Sequence, residues 1–368
     1  ISLQSDLSWK AYKTIPYQDN MPFQQSRSIT PVEFYDQTIE RQPNQSHDVV
    51  ILDVPYRYHQ QLIPEGHIYE VIKPKMIYSD EKVKVFDCGR IVSGFPQVIL
   101  HAKKEEILTL RYSEDLDQHR VKHNVANEPS EHYCDHIKVM ANQDTRHAFD
   151  FTYKAFRYVE IEGDISIFDV LELRVLCAST KLTFDGYIHS KTIHQLNHLY
   201  EMFINTQRNN TLGLLVDCPH REQAQYLGDS ALQVENIQYN IRERKELIEK
   251  VLNDFMYAQY SDGTFPFVAP GSTHTERFSL KIPEYDLYFI ELVYQRFIID
   301  FDVQVLEKYR NTVVLLMNHY IQKVDDLGLV KKTSEWHISD WPYPTVDHEG
   351  THLTYENMLF YHMLTLYE

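Results

Sequence analysis

Ser190-Lys191-Thr192-Ile193-His194-Gln195-Leu196-Asn197-His198-Leu199-Tyr200-Glu201-Met202-Phe203 is the stretch where the pattern of the chain changes. Ile193, Leu196, Leu199, Tyr200 and Phe203 recur at helical spacing, with Ser190 placed to cap the start. Upstream, from about 48 to 187, the period is two: Val83 and Val85 alternate with Lys82 and Lys84, and Val159 and Ile161 with Glu160 and Glu162. Residues 97–102, 107–112 and 171–176 read as further strands. Short strands in succession, with no long helix between them, predict an antiparallel β-sandwich. Downstream, amphipathic segments at about 229–241, 243–260, 284–301, 303–323 and 354–367 predict an all-helical half built from helix pairs. Residues 1–47 are polar and irregular, and read as the tail of a preceding domain or a lead-in. The expected division is therefore 1–47, 48–187 and 188–368.

Composition narrows the function. The chain has 368 residues, 43% hydrophobic and 24% charged, as in ordinary globular proteins. Only 11 residues are Gly, and no G-x-G-x-x-G or Walker-type phosphate cradle occurs. A net charge of −17 opposes binding to nucleic acid or to an anionic membrane, but suits a neutral ligand such as a sugar. Cys88, Cys134, Cys177 and Cys218 are scattered without C-x-x-C spacing, which predicts free thiols in a reducing compartment. With no signal peptide or transmembrane run in the sequence, a cytoplasmic location is expected.

The chemistry concentrates in Leu215-Val216-Asp217-Cys218-Pro219-His220-Arg221-Glu222-Gln223-Ala224-Gln225-Tyr226-Leu227-Gly228-Asp229, a loop between two predicted helices. Glycoside cleavage needs one carboxylic acid to protonate the leaving oxygen and a second carboxylate to activate water or attack the sugar. Further carboxylates and an Arg can hold ring hydroxyls, and clustered acids raise one another's pKa. The structural alternative is a turn at Asp217, an N-cap at Asp229, and solvated charges at Arg221 and Glu222.

Other constellations carry less. His194 and His198 share a helix face without a third ligand, so no metal is expected. His132, Cys134, Asp135 and His136 fall in a strand whose neighbours point to opposite faces, and read as a surface strand. Cys218 reads as a packing residue rather than a nucleophile, because Pro219 follows it and carboxylates surround it.

At the acidic loop the sequence resembles the bacterial α-L-rhamnosidases of glycoside hydrolase family 78. Asp217-Cys218-Pro219, the acid Glu222 and the pair Gly228-Asp229 match their signature. Phe86-Asp87-Cys88-Gly89-Arg90 with Ser93-Gly94, Arg111-Tyr112-Ser113-Glu114, and Ala155-Phe156-Arg157-Tyr158-Val159 are similar to segments of the family's sandwich domain. Asp262-Gly263-Thr264-Phe265-Pro266 and Ser339-Asp340-Trp341 are similar to segments of its helical domain. His220 and Tyr226 depart from the Gln and Trp common in the family.

The resemblance implies a β-sandwich followed by part of an (α/α)6 barrel, and an inverting hydrolase that releases terminal α-L-rhamnose without a cofactor. It implies Glu222 as general acid, and Asp217, Arg221 and Asp229 as ligands of the sugar hydroxyls. Tyr226, Tyr285 and Trp341 become candidate pocket aromatics, with plain core packing the alternative for each. Six helix candidates make about half of such a barrel. The last of them runs to Glu368, so the general base is expected beyond that residue. Two other readings stand beside this one. The first is a non-catalytic carbohydrate-binding protein of the same fold. The second is a helical-barrel hydrolase or lyase for another sugar.

Overall fold

The structure is a computed structural model that describes residues 6–12, 16–23, 31–39, 46–51, 59–125, 128–129, 131–271, 281–338 and 350–368. It divides into two compact units. One comprises residues 1–61 and 68–178, the other residues 62–67 and 179–368.

The first unit is built on a nine-stranded sheet: β1 (Phe34–Asp36), β2 (Gly66–Ile72), β3 (Lys75–Ser79), β4 (Val83–Ala102), β5 (Glu106–Ser113), β6 (Cys134–Val139), β7 (Asp144–Ala148), β8 (Lys154–Glu162) and β9 (Phe168–Thr180). The main path runs β1-β6-β5-β8-β4-β9-β2, with β3 and β7 also paired to β4. The 20 residues of β4 explain how one sheet makes two layers. The first half of the strand pairs with β3 and β8, the second half with β7 and β9. The change of partners falls at Gly94, which pairs with both Lys154 and Cys177. A Cβ at Gly94 would lie 2.3 Å from the Leu176 carbonyl oxygen, so only glycine fits there. Alternate residues of these strands meet in one core, with Val92, Leu100, Leu108, Leu110, Ile137 and Val159 among its members. Strands β3 to β9 pair antiparallel with one another, whereas β1 lies parallel to β6. Part of the stretch read as a lead-in thus belongs to the sheet.

The segments similar to family motifs turn out to bind one another. Arg157 in β8 donates from Nε and Nη2 to the two carboxylate oxygens of Asp87 in β4, at 2.9 and 3.0 Å. Asp87 Oδ1 also accepts the Gly89 N–H at 2.7 Å. These residues fasten the sheet. The reading of residues 132–136 as a surface strand is corrected, because Cys134 and Asp135 are buried. Lys154, itself buried on β8, places Nζ 2.7 Å from Asp135 Oδ2.

Among the described residues the second unit has six α-helices: α1 (His194–Asn209), α2 (Leu227–Asn240), α3 (Arg244–Ala258), α4 (Pro283–Ile298), α5 (Val303–Ile321) and α6 (Thr354–Tyr367). Their periodic apolar residues form one core, to which α3 contributes Leu247, Ile248, Val251, Leu252 and Phe255. Each such buried side chain stabilises the fold by about 1.5–3 kcal/mol. Along α1, by contrast, Ile193, Leu196, Leu199, Met202 and Phe203 remain exposed. Ser190 Oγ accepts the N–H groups of Thr192 and Ile193 just ahead of that helix. No described helix is long and apolar enough to cross a membrane.

Helices α2, α4 and α6 pack side by side. They run in the same direction. Asp229 at the start of α2 is hydrogen-bonded by Tyr285 at the start of α4, while Gln238 near the end of α2 donates to Gln295 near the end of α4 at 2.6 Å. The hydroxyl of Tyr355, the second residue of α6, lies 2.7 Å from that of Tyr288 in the second turn of α4, and His362 further along α6 lies 3.2 Å from Glu291 further along α4. The three N-termini therefore meet at one end. Each carries acid in its first turn: Asp229 on α2, Glu284 and Asp286 on α4, Glu356 on α6. Helix N-termini stabilise negative charge, so this end suits an acidic site.

Candidate active site

The acidic loop sits at that end and is closed on itself. The Asp217 N–H donates to the Ala224 carbonyl at 2.9 Å, and the Ala224 N–H returns to Asp217 Oδ1 at 3.3 Å. Inside the ring, Gln223 adopts a left-handed φ of 51°, donating its N–H to the Cys218 carbonyl and its side-chain amide to the Pro219 carbonyl. Asn210 holds the Asp217 carbonyl at 3.1 Å.

Gln225 anchors the loop to the core, a role the sequence reading missed. Its buried side chain accepts the Leu215 N–H at 3.1 Å and donates to the Ala269 carbonyl at 2.7 Å and to Asp254 at 2.9 Å. A neutral side chain among charged neighbours gives no local sign of such bonding.

Glu222 is held from two sides. The Tyr226 hydroxyl donates to its Oε2, and Arg221 Nε lies 3.4 Å from its Oε1. Burial pushes Asp217 up to about 6, and the charges of Glu222 and Asp229 add to the effect. Burial likewise pushes Asp229 up to about 6, with Glu222 adding to it and the Tyr285 hydroxyl opposing it. Asp217, Glu222 and Asp229 thus form one electrostatic cluster. Burial and the neighbouring Asp217 carboxylate push the Cys218 thiol up to about 12, which removes it as a nucleophile at neutral pH.

The aromatic wall is compact. Tyr226 meets Phe267 at 5.4 Å between centroids and Tyr285 edge-on at 6.2 Å. Ala224, Val268 and Ile282 complete this small apolar cluster. Gly228 makes room for it, since a Cβ there would lie 3.0 Å from the Tyr285 ring. Of the residues singled out from sequence, Asp217, Arg221, Glu222, Tyr226, Asp229 and Tyr285 come together at this end of the helices. Trp341, with Ser339 and Asp340, lies outside the described residues. The turn and N-cap alternatives are answered in part. Asp217 does close a turn. Asp229 is the third residue of α2 rather than its N-cap.

Chemically, the site offers a carboxyl group positioned by a phenol, a nearby guanidinium, two acids that burial makes easier to protonate, and aromatic faces. A sandwich unit, and a helical unit in which the N-termini of α2, α4 and α6 carry such a cluster, fit a six-hairpin glycosidase architecture. The bacterial α-L-rhamnosidase six-hairpin glycosidase domain matches residues 187–368, and the bacterial α-L-rhamnosidase concanavalin-like domain matches residues 77–176. The chain belongs to the bacterial α-L-rhamnosidases of glycoside hydrolase family 78.

An α-L-rhamnosidase of Alteromonas sp. (strain LOR) is 25% identical over 188 residues, which cover 50% of this chain and 20% of that protein. The α-L-rhamnosidase structure from Dictyoglumus thermophilum superposes with a TM-score of 0.77 at 20% identity, covering 98% of this chain and 40% of that one. The Streptomyces avermitilis α-L-rhamnosidase, solved in complex with L-rhamnose, gives 0.73 at 20% identity, covering 91% and 32%. The chain thus spans between a fifth and two fifths of the length of these relatives.

Proposed function

We propose that this chain carries the acid-bearing side of an α-L-rhamnosidase active site, with Glu222 as the proton donor to the glycosidic oxygen. The observation that carries the reading is the hydroxyl of Tyr226 fixed on Glu222 within the Asp217–Asp229 cluster. A proton donor must be aimed at its target before its acidity matters, and the Tyr226 bond supplies the aim. Asp217, Arg221 and Asp229 then bind the hydroxyls of a terminal rhamnose, and Tyr226 and Tyr285 face its apolar side. The substrate is a neutral rhamnose-containing glycoside, in keeping with a chain of net charge −17. An inverting route requires a second carboxylate roughly 6.5–9.5 Å from the acid to activate water. We assign no described residue to that task. A reducing, cytoplasmic setting suits four cysteines that form no disulfide.

The test is release of nitrophenol from p-nitrophenyl α-L-rhamnoside, beside calorimetric binding of L-rhamnose, for the parent and Glu222→Gln. Hydrolysis by the parent and its loss in the variant, with folding intact, supports the reading. Rhamnose binding without hydrolysis moves the chain to the carbohydrate-binding alternative. Neither binding nor hydrolysis by a folded parent overturns the assignment.

A further inference from the structure

Beside the sugar site, one cluster has no part in the reading above. Glu284 is the second residue of α4, Glu356 the third of α6, and His337 lies in the segment between α5 and α6. Their exposures are 0, 0 and 3%. One donor atom from each lies within 4.8 Å of the other two. His337 Nδ1 stands 2.8 Å from Glu284 Oε1 and 3.9 Å from Glu356 Oε2.

Two independent features suit a metal ion between them. First, both carboxylate oxygens of Glu356 are buried and accept no hydrogen bond among the described residues. Burying an ionised carboxylate without donors costs several kcal/mol unless a cation meets it. Second, His337 Nε2 lies 3.1 Å from the Thr333 hydroxyl. Nδ1 meets Glu284 Oε1 at 2.8 Å, and with the ring proton on Nε2, given to the Thr333 hydroxyl, Nδ1 would be available to an ion held between it and the two carboxylates. An imidazole held this way by its far nitrogen is the usual arrangement of a metal-binding histidine. Glu284 is fixed as well, its Oε2 accepting the Ile338 N–H at 3.4 Å.

We propose that Glu284, His337 and Glu356 bind a single Zn2+ ion, or a divalent transition-metal ion of similar preference. The donor set of one imidazole and two carboxylates excludes the oxygen-only preference of Ca2+ and Mg2+. With bonds of about 2.0–2.1 Å, tetrahedral Zn2+ holds its ligand atoms roughly 3.3 Å apart. The distances of 2.8 and 3.9 Å bracket that value. The ion ties the start of α4 to the start of α6. Its neighbour in sequence, Tyr285, bonds Asp229, so the ion stiffens one wall of the sugar site without entering it.

The test uses the 368-residue chain stripped of metal with a chelator and titrated with ZnCl2 against a chromophoric competitor at neutral pH. One equivalent bound per chain is expected, with affinity reduced at least tenfold by Glu356→Gln and by His337→Ala. Glu222→Gln should retain the full equivalent, which separates this site from the sugar-site acids. No saturable uptake by the parent, or uptake unchanged by Glu356→Gln and lost with Glu222→Gln, overturns the proposal. Should the substituted chains misfold by circular dichroism, zinc-edge X-ray absorption of the loaded parent decides. One imidazole with oxygen donors supports the site, and sulfur or several imidazoles overturn it.

Discussion

The phenolic hydroxyl of Tyr226 donates to Oε2 of Glu222, so the residue that closes the acidic loop also aims its central carboxyl group. The Tyr226 ring is itself wedged between Phe267 and Tyr285, and cannot swing away without disturbing both. Tyr226→Phe keeps this packing and removes the bond alone. In a rhamnosidase of this design, turnover should fall by about ten- to a hundredfold, a fraction of what a positioned acid contributes. The KM for an aryl rhamnoside should change little. A KM rise with kcat untouched would mean that the hydroxyl binds sugar and does not orient Glu222.

Asp217 and Asp229 are both pushed up to about 6, chiefly by burial. A carboxyl whose folded pKa exceeds its unfolded value is easier to protonate in the native state. Stability is therefore lost as pH rises from about 4 to about 6 and stays lower above that. Asp229→Asn removes the penalty for one group and leaves an oxygen to accept from Tyr285. It should stabilise the chain by on the order of 2 kcal/mol at pH 7.5 and leave stability at pH 4 nearly unchanged. Urea denaturation at the two pH values reads this directly. Equal effects at both would show that Asp229 does not titrate in this range.

Gln225 makes three hydrogen bonds from a fully buried side chain, two of them to backbone on either side of the loop. Gln225→Leu has comparable size but leaves the Leu215 N–H and the Ala269 carbonyl without these partners. Each unmade buried bond costs about 1–3 kcal/mol, so thermal unfolding should come several degrees earlier. Amide exchange should quicken first at residues 215–225. Unfolding unchanged from the parent would show that the loop is held elsewhere.

These residues mark where local sequence stops informing. The helices were legible within a few residues, because Leu247, Ile248, Val251, Leu252 and Phe255 repeat at helical spacing. The strands were legible as pieces. That 83–102 is one strand was not, since the partner change at Gly94 depends on how close Leu176 comes. Phe34–Asp36 is too short to show a period. Within the site, the acidic loop stood out because its charges are adjacent in sequence. Glu284 and His337 are 53 residues apart, and an acid after Pro283 reads simply as a helix start. Asp135 was misjudged because the lysine that permits its burial sits on another strand.

That pair supports a last prediction. Lys154 and Asp135 have no exposure, and their charged atoms lie 2.7 Å apart. Further hydrogen bonds support the pair: Asp135 accepts from Tyr112 at 2.9 Å and from the Glu33 N–H at 2.9 Å, and Lys154 donates to the Thr152 carbonyl at 3.0 Å. Removing one charge strands the other in the core. Lys154→Met should cost about 3–5 kcal/mol. Adding Asp135→Asn keeps an acceptor for Tyr112 and Glu33 while discarding the stranded charge, so the double variant should regain at least half of that loss. A double-mutant cycle by chemical denaturation measures the coupling. Strictly additive losses would mean that the two side chains contribute through packing, and that the charge pair itself is worth nothing to the sheet.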